Sequence, residues 1–208
     1  MKQKDKRTRK KVGVDLDDIL FPFNKHFLIY RNKKHNTNYT EKVFRMSTED
    51  IMKEMDDFYK TREYEQIEPV EDAFKALSEI KKTHDLAIVT ARPEYLVEKT
   101  NRWLNKYFKN IFSEVIFTNQ QSLLNKKRSK AEVCIEKSIE ILIEDNFEYV
   151  IDCAQKGIRV LLFNKPWNIN FSAPKEYKEF IVKIDGWNDV LRVYKSTDKF
   201  SNFEKLKR

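Results

Sequence analysis

Three short apolar runs each end in a cluster of oxygen-bearing side chains. VGV runs into Asp15-Leu16-Asp17-Asp18, LAIV into Thr90-Ala91-Arg92-Pro93, and ILI into Glu144-Asp145-Asn146. Carboxylates gathered at the ends of apolar segments repel one another unless a cation neutralises them. The donors are oxygens only, with no His or Cys among them, which suits Mg²⁺ rather than a softer metal. A single Asp after a strand more often caps the next loop or helix. Thr90 taken alone reads as a strand-end hydroxyl bonded to backbone, and Arg92-Pro93 as a turn with a proline opening the next helix. Matched polar groups at three exits carry more weight than any one of them.

Such groups can meet only if the runs lie side by side. Five apolar runs read as strands: Lys11–Asp15, Leu86–Thr90, Glu114–Thr118, Ile139–Glu144 and Ile158–Phe163. Helical spacing fills the segments between them. Val70–Thr83 carries Ala73, Phe74, Leu77 and Ile80 on one stripe, Glu94–Phe108 carries Leu96, Val97, Trp103, Leu104 and Phe108, and Ser129–Ser138 carries Ala131, Val133, Cys134 and Ile135. The alternation predicts an α/β fold, a three-layer, doubly wound, Rossmann-like sandwich on a five-stranded parallel sheet. In open parallel sheets, chemistry collects at the carboxyl ends of the strands, where the three clusters fall. The long gap between the first two strands is more than one crossover needs. Its part 20–66 reads as an inserted helical cap, rich in aromatic residues that include Phe21, Phe23, Phe27, Tyr30, Tyr39, Phe44, Phe58 and Tyr59. Segments 12–19 and 67–191 then form the core. These rings suit the small core of a cap, and one or two could also line a pocket.

Other chemistries are set aside by what is missing. The chain has three glycines, Gly13, Gly157 and Gly186, so it contains neither a P-loop nor a GxGxxG fingerprint. Cys134 and Cys153 lack CxxC spacing and His26, His35 and His84 are scattered, which disfavours zinc or a disulfide framework. The 208 residues carry a formal net charge of +8, of which residues 1–11 supply +6 and residues 192–208 supply +4, leaving the body at −2. The basic ends are read as solvated tails, with contact to nucleic acid as the less favoured alternative. No apolar stretch is long enough for a membrane span and no signal segment precedes VGV, so the expected compartment is the cytoplasm.

The order and spacing of VGVDLDDIL, IVTARP, Lys130 of KAEVC and ILIEDN resemble the four motifs of the haloacid dehalogenase-like phosphohydrolase superfamily. With the short cap, they are most similar to its 5′(3′)-deoxyribonucleotidase type. The resemblance implies a Mg²⁺-dependent phosphomonoesterase acting on (deoxy)nucleoside 5′-monophosphates through an aspartyl-phosphate. Asp15 would be the nucleophile and also a metal ligand, and Asp17 the general acid and base, with the Asp17 carbonyl also reaching the metal. Asp145 would be a metal ligand, and Glu144 either a second ligand or a group holding metal-bound water or Lys130. Thr90, the Ala91 amide and Lys130, with Arg92 secondary and Lys127 a competitor for the lysine role, would bind phosphate. Phe23, eight residues after the nucleophile, would face the substrate. The sequence departs from the pattern at Asp18, where Gly or a neutral residue is frequent, and at Glu144, which replaces an Asp. Alternatives are a sugar phosphate or polynucleotide end as substrate, or a catalytically quiet binding module on the same fold. The partner expected is a small phosphate ester, with a homo-oligomer possible.

Overall fold

A computed structural model describes residues 9–40, 49–118 and 127–195. Most of the two basic tails therefore lies outside the described residues, as does Phe44. Strand β1 (Lys11–Val14) is followed by α1 (Phe23–His35), α2 (Glu49–Phe58) and α3 (Arg62–Glu65), and the chain then returns through α4 (Ala73–Lys81) to β2 (Asp85–Thr90). The remainder runs α5 (Val97–Tyr107), β3 (Glu114–Phe117), α6 (Lys130–Glu136), β4 (Ile139–Glu144), α7 (Phe147–Gln155), β5 (Arg159–Phe163), β6 (Ile181–Ile184) and α8 (Trp187–Lys195). The sheet has six strands in the order β3-β2-β1-β4-β5-β6, and all pairs are parallel. The expected fold class holds, with one strand more than the five read from the sequence.

Alternation along the strands creates two apolar faces. Val12, Val14, Leu86, Ile88, Ile141 and Ile143 pack with α4, α5 and α8. Ala87, Val89, Leu142, Val160 and Leu162 pack with α6 and α7, which gives three layers. Gly13 lies in the middle of β1, where an added Cβ would come within 3.0 Å of Leu142. The helix stripes are narrower than expected: Phe74 is 51% and Ile135 57% exposed, and Ala76 takes the inward place beside Ala73, Leu77 and Ile80. Positions i, i+3, i+4 and i+7 share a face, whereas i+1 lies about 100° away.

Strand β6 is the one beyond the expected five: IVKI is four residues long and presents Lys183 outward. Helix α8 runs past residue 191, the expected end of the core, and buries both Val190 and Val193.

Helices α1 to α3 lie where the inserted cap was expected, between two connections that run side by side, with the Val70 amide donating to the Leu20 carbonyl at 2.8 Å. Each connection is held by a buried indole from the core. Trp187 Nε1 donates to the Ile19 carbonyl at 3.3 Å, and Trp103 Nε1 to the Ile67 carbonyl at 2.7 Å. Inside the cap Phe23, Phe27, Tyr30, Phe58, Tyr59 and Tyr64 stack or meet edge to face.

Candidate active site

The strand order reverses between β1 and β4, and the connections leaving these neighbours diverge there. The Asp15 amide still donates to Ile143 O at 2.9 Å, so the sheet carries its register one residue past β1 and delivers the Asp15 side chain beside Glu144 and Asp145. One oxygen from each of these three buried carboxylates lies within 4.8 Å of the others. The next residues turn sharply. Asp18 takes a positive φ of 59°, a conformation Asp tolerates better than most residues, which explains why a Gly also suits this place. Its carboxylate accepts from the Asn24 amide at 3.0 Å and so starts α1.

Lys130 reaches the cluster from the opposite layer. Ser129 caps α6 in a capping box with Glu132, which fixes the first turn and directs Lys130 inward. The Lys130 ammonium, 1% exposed, donates to Asp15 Oδ1 at 2.5 Å and to Glu144 Oε2 at 2.6 Å, and lies 4.8 Å from the centre of the Tyr149 ring. Burial alone would lower its pKa, but the Asp15 and Glu144 carboxylates outweigh that and hold it above the ordinary lysine value. The other Glu144 oxygen accepts from the Asp145 and Asn146 amides at 3.1 and 3.0 Å. Glu144 thus holds Lys130 and the β4 turn, one of its two expected placements.

The carboxylates exceed the positive charge available to them. Burial first, and then Glu144, push Asp15 well above the usual carboxylate range against the pull of Lys130. Burial, Glu144, Asp18 and Asp15 do the same to Asp145, opposed by Lys165. An all-oxygen cluster with surplus negative charge fits a hard divalent cation. Asp15, Asp145 and the neighbouring main chain would hold it.

Asp17 stands apart from this cluster. Arg92 grips its carboxylate as a fork, Nε to Oδ2 at 2.9 Å and Nη2 to Oδ1 at 2.7 Å, while Nη1 donates to Thr100 Oγ1 at 3.1 Å. Arg92 is fully buried and its guanidinium lies 4.4 Å from the Phe21 ring centre and 5.7 Å from that of Tyr64. Burial lowers its pKa, but Asp17 and the nearby tyrosines more than offset this, and the charge is retained. Arg92, expected among the phosphate ligands, is therefore committed to Asp17 and Thr100. Thr90 is buried and its Oγ1 accepts from the Arg92 amide at 3.2 Å, while its carbonyl accepts from Thr118. Ala91, between them, is also buried.

Phe23, expected to face the substrate, is 3% exposed and belongs to the cap's aromatic cluster. The ring against the Arg92–Asp17 pair is Phe21, brought there by the isolated bridge between Asp17 and Phe21. Tyr59 and Tyr64 also approach the pair from the cap. Burial raises the pKa of both, Tyr64 to about 12, and the Asp17 charge adds to the effect in each. The Tyr64 hydroxyl is buried without a hydrogen-bond partner. Asn168 was not singled out from the sequence, yet its buried carboxamide binds the Asp145 carbonyl at 2.6 Å. No periodicity or familiar spacing marks either residue.

Comparison with known proteins places the chain in a family. Residues 9–194 match the family model described as 5′ nucleotidase, deoxy (pyrimidine), cytosolic type C protein. A protein of Halalkalibacterium halodurans, provisionally named a nucleotidase, is 25% identical over 195 residues, covering 88% of this chain and 92% of its own. Among solved structures, a haloacid dehalogenase-like hydrolase from Xanthomonas campestris superposes with a TM-score of 0.63 at 11% identity, covering 95% of this chain and 98% of its own. One from Streptococcus pneumoniae gives 0.61 at 14% identity, covering 90% and 99%. These two likenesses establish the fold. The match over almost the whole of the described core establishes the family: the chain belongs to the cytosolic type C 5′-nucleotidase family of haloacid dehalogenase-like hydrolases.

Proposed function

We propose that this hydrolase is a Mg²⁺-dependent phosphomonoesterase that converts (deoxy)nucleoside 5′-monophosphates to nucleoside and phosphate, with Asp15 as nucleophile. The observation that carries the reading is the buried Lys130 ammonium bridging Asp15 and Glu144, with Asp145 beside them at the switch point of the sheet. A phosphate dianion approaching these acids would be repelled, and bound Mg²⁺ supplies the charge that offsets this repulsion. Lys130 adds a fixed positive charge and keeps the Asp15 carboxylate oriented.

An Asp15 oxygen attacks phosphorus while the bond from phosphorus to the ester oxygen breaks, and Asp17 delivers a proton to that leaving oxygen. A water molecule then gives a proton to Asp17 and attacks the phosphorus of the aspartyl-phosphate. The bond to Asp15 breaks, releasing phosphate and restoring the enzyme. The Thr90 hydroxyl and Ala91 amide complete the lining for the phosphoryl oxygens. The cytosolic family type and the Halalkalibacterium relative support a nucleotide substrate and a cytoplasmic setting.

The test is phosphate release from a panel of nucleoside monophosphates with Mg²⁺. Asp15→Asn, which removes the nucleophile while preserving size, is expected to abolish release, whereas full activity in that variant would overturn the mechanism.

A further inference from the structure

Five residues after Phe163 closes β5, Asn168 turns its side chain back under the loop and is 1% exposed. Its Nδ2 donates to the Asp145 carbonyl at 2.6 Å and to the Phe163 carbonyl at 2.8 Å. Its Oδ1 accepts from the Lys165 amide at 2.9 Å. One buried carboxamide thereby joins the ends of two neighbouring strands and a residue of the following loop.

The consequence falls on Asp145. Its amide is held by Glu144 Oε1 and its carbonyl by Asn168, so both peptide groups that flank its side chain are fixed. The same carboxamide accepts from the Lys165 amide, which ties the start of the loop after β5 to the end of β4. The pairing of β4 with β5 ends at Glu144 and Leu162, and this tie carries the junction of the two chains beyond the sheet.

We propose that Asn168 is a positioning residue for the divalent-cation site, tying the main chain of Asp145 to the end of β5 and its loop so that this ligand keeps one geometry. This rests on the metal-dependent reading of the same site. Groups that orient a metal ligand without touching the metal typically carry about 10–100-fold in affinity. A neutral amide suits the role because it offers two donors and an acceptor at one point without adding charge.

The experiment is Mg²⁺ titration of the full-length protein by calorimetry, with metal-free thermal melts as the check on folding. Asn168→Asp keeps the shape but loses both donated bonds, and Asn168→Ala loses all three. Asn164→Ala, in the same loop but bonded to Asp185 rather than to the site, is the control. Both Asn168 variants are expected to bind Mg²⁺ about 10–100-fold more weakly than wild type while still melting cooperatively, and the Asn164 variant to bind like wild type. Unchanged affinity in a folded Asn168→Asp protein would overturn the inference, as would an equal loss in Asn164→Ala, which would assign the effect to the loop at large. Failure of both Asn168 variants to fold would also overturn it, making the residue a support of the fold. A wild-type protein that binds no Mg²⁺ would overturn the metal-dependent reading and this inference together.

Discussion

Asp17 and Asp15 are two residues apart yet live in different electrostatic surroundings. Asp15 shares a buried ammonium with Glu144, whereas Asp17 is held by a buried guanidinium fork whose other arm is tied to Thr100. A fork of this kind fixes both the direction and the plane of a carboxylate, which a point charge on a flexible stem does not. Arg92→Lys should therefore retain charge and lose aim. General acid–base catalysis contributes about 10²–10⁴-fold, and a misdirected Asp17 should forfeit at least the lower end, about 10²-fold in kcat, with a smaller effect on KM. Steady-state kinetics on the preferred nucleotide would measure this, and wild-type kcat in the variant would remove Arg92 from the positioning of Asp17. The three strand-end clusters were legible from residue type and order. The partner of Asp17 was not, because a guanidinium's direction depends on the ring beneath it and on Thr100 eight residues later. For the same reason Phe23 was expected at the substrate while Phe21 lies against the pair. Rings two positions apart are alike in composition and are separated only by the turn that Asp18 makes with its positive φ.

At the scale of elements, the site depends on the start of α6 as much as on the strands. Lys130 is the first residue of that helix, and its placement follows from the reciprocal bonds between Ser129 and Glu132. Replacing an N-cap Ser by Ala costs about 1 kcal/mol. Ser129→Ala should lower stability by about that amount in urea unfolding and should also lower kcat, because the first turn that presents Lys130 is no longer fixed. Ser129→Asp, another good cap, should restore both. A stability loss with full activity would show that Lys130 is held by its carboxylates alone. The strands and most helices could be read from periodicity because their apolar positions are dense and regular. Strand β6 could not, since an edge strand of four residues with an outward lysine lacks both density and length. The tail of α8 was hidden by its own basic residues, Arg192 and Lys195, which suit the last turn of a helix as well as a disordered end.

For the whole molecule, the sign of the net charge conceals where charge matters. The sequence sums to +8, but the interior site is acidic, and the crowding of its buried carboxylates is unfavourable in the metal-free chain. Asp15 and Asp145 both bind protons more tightly in the folded chain than in the unfolded one, so their contribution to stability falls as pH rises above the ordinary carboxylate range toward their raised values. The metal-free protein should thus be destabilised by this cluster at neutral pH relative to mildly acidic pH, and added Mg²⁺ should raise its melting temperature more at pH 7.5 than at pH 5.5. Asp145→Asn separates this from every other titration in the chain. Removing one of the crowded charges should stabilise the metal-free protein at neutral pH by about 0.5–2 kcal/mol, the gain common for a single stabilising substitution, and should shrink both the Mg²⁺ response and its pH dependence. Differential scanning calorimetry of the two proteins, with and without Mg²⁺ at both pH values, measures each quantity. A variant less stable than wild type without metal would mean that Asp145 is held by compensating contacts, and that the fold bears no cost for keeping its carboxylates together.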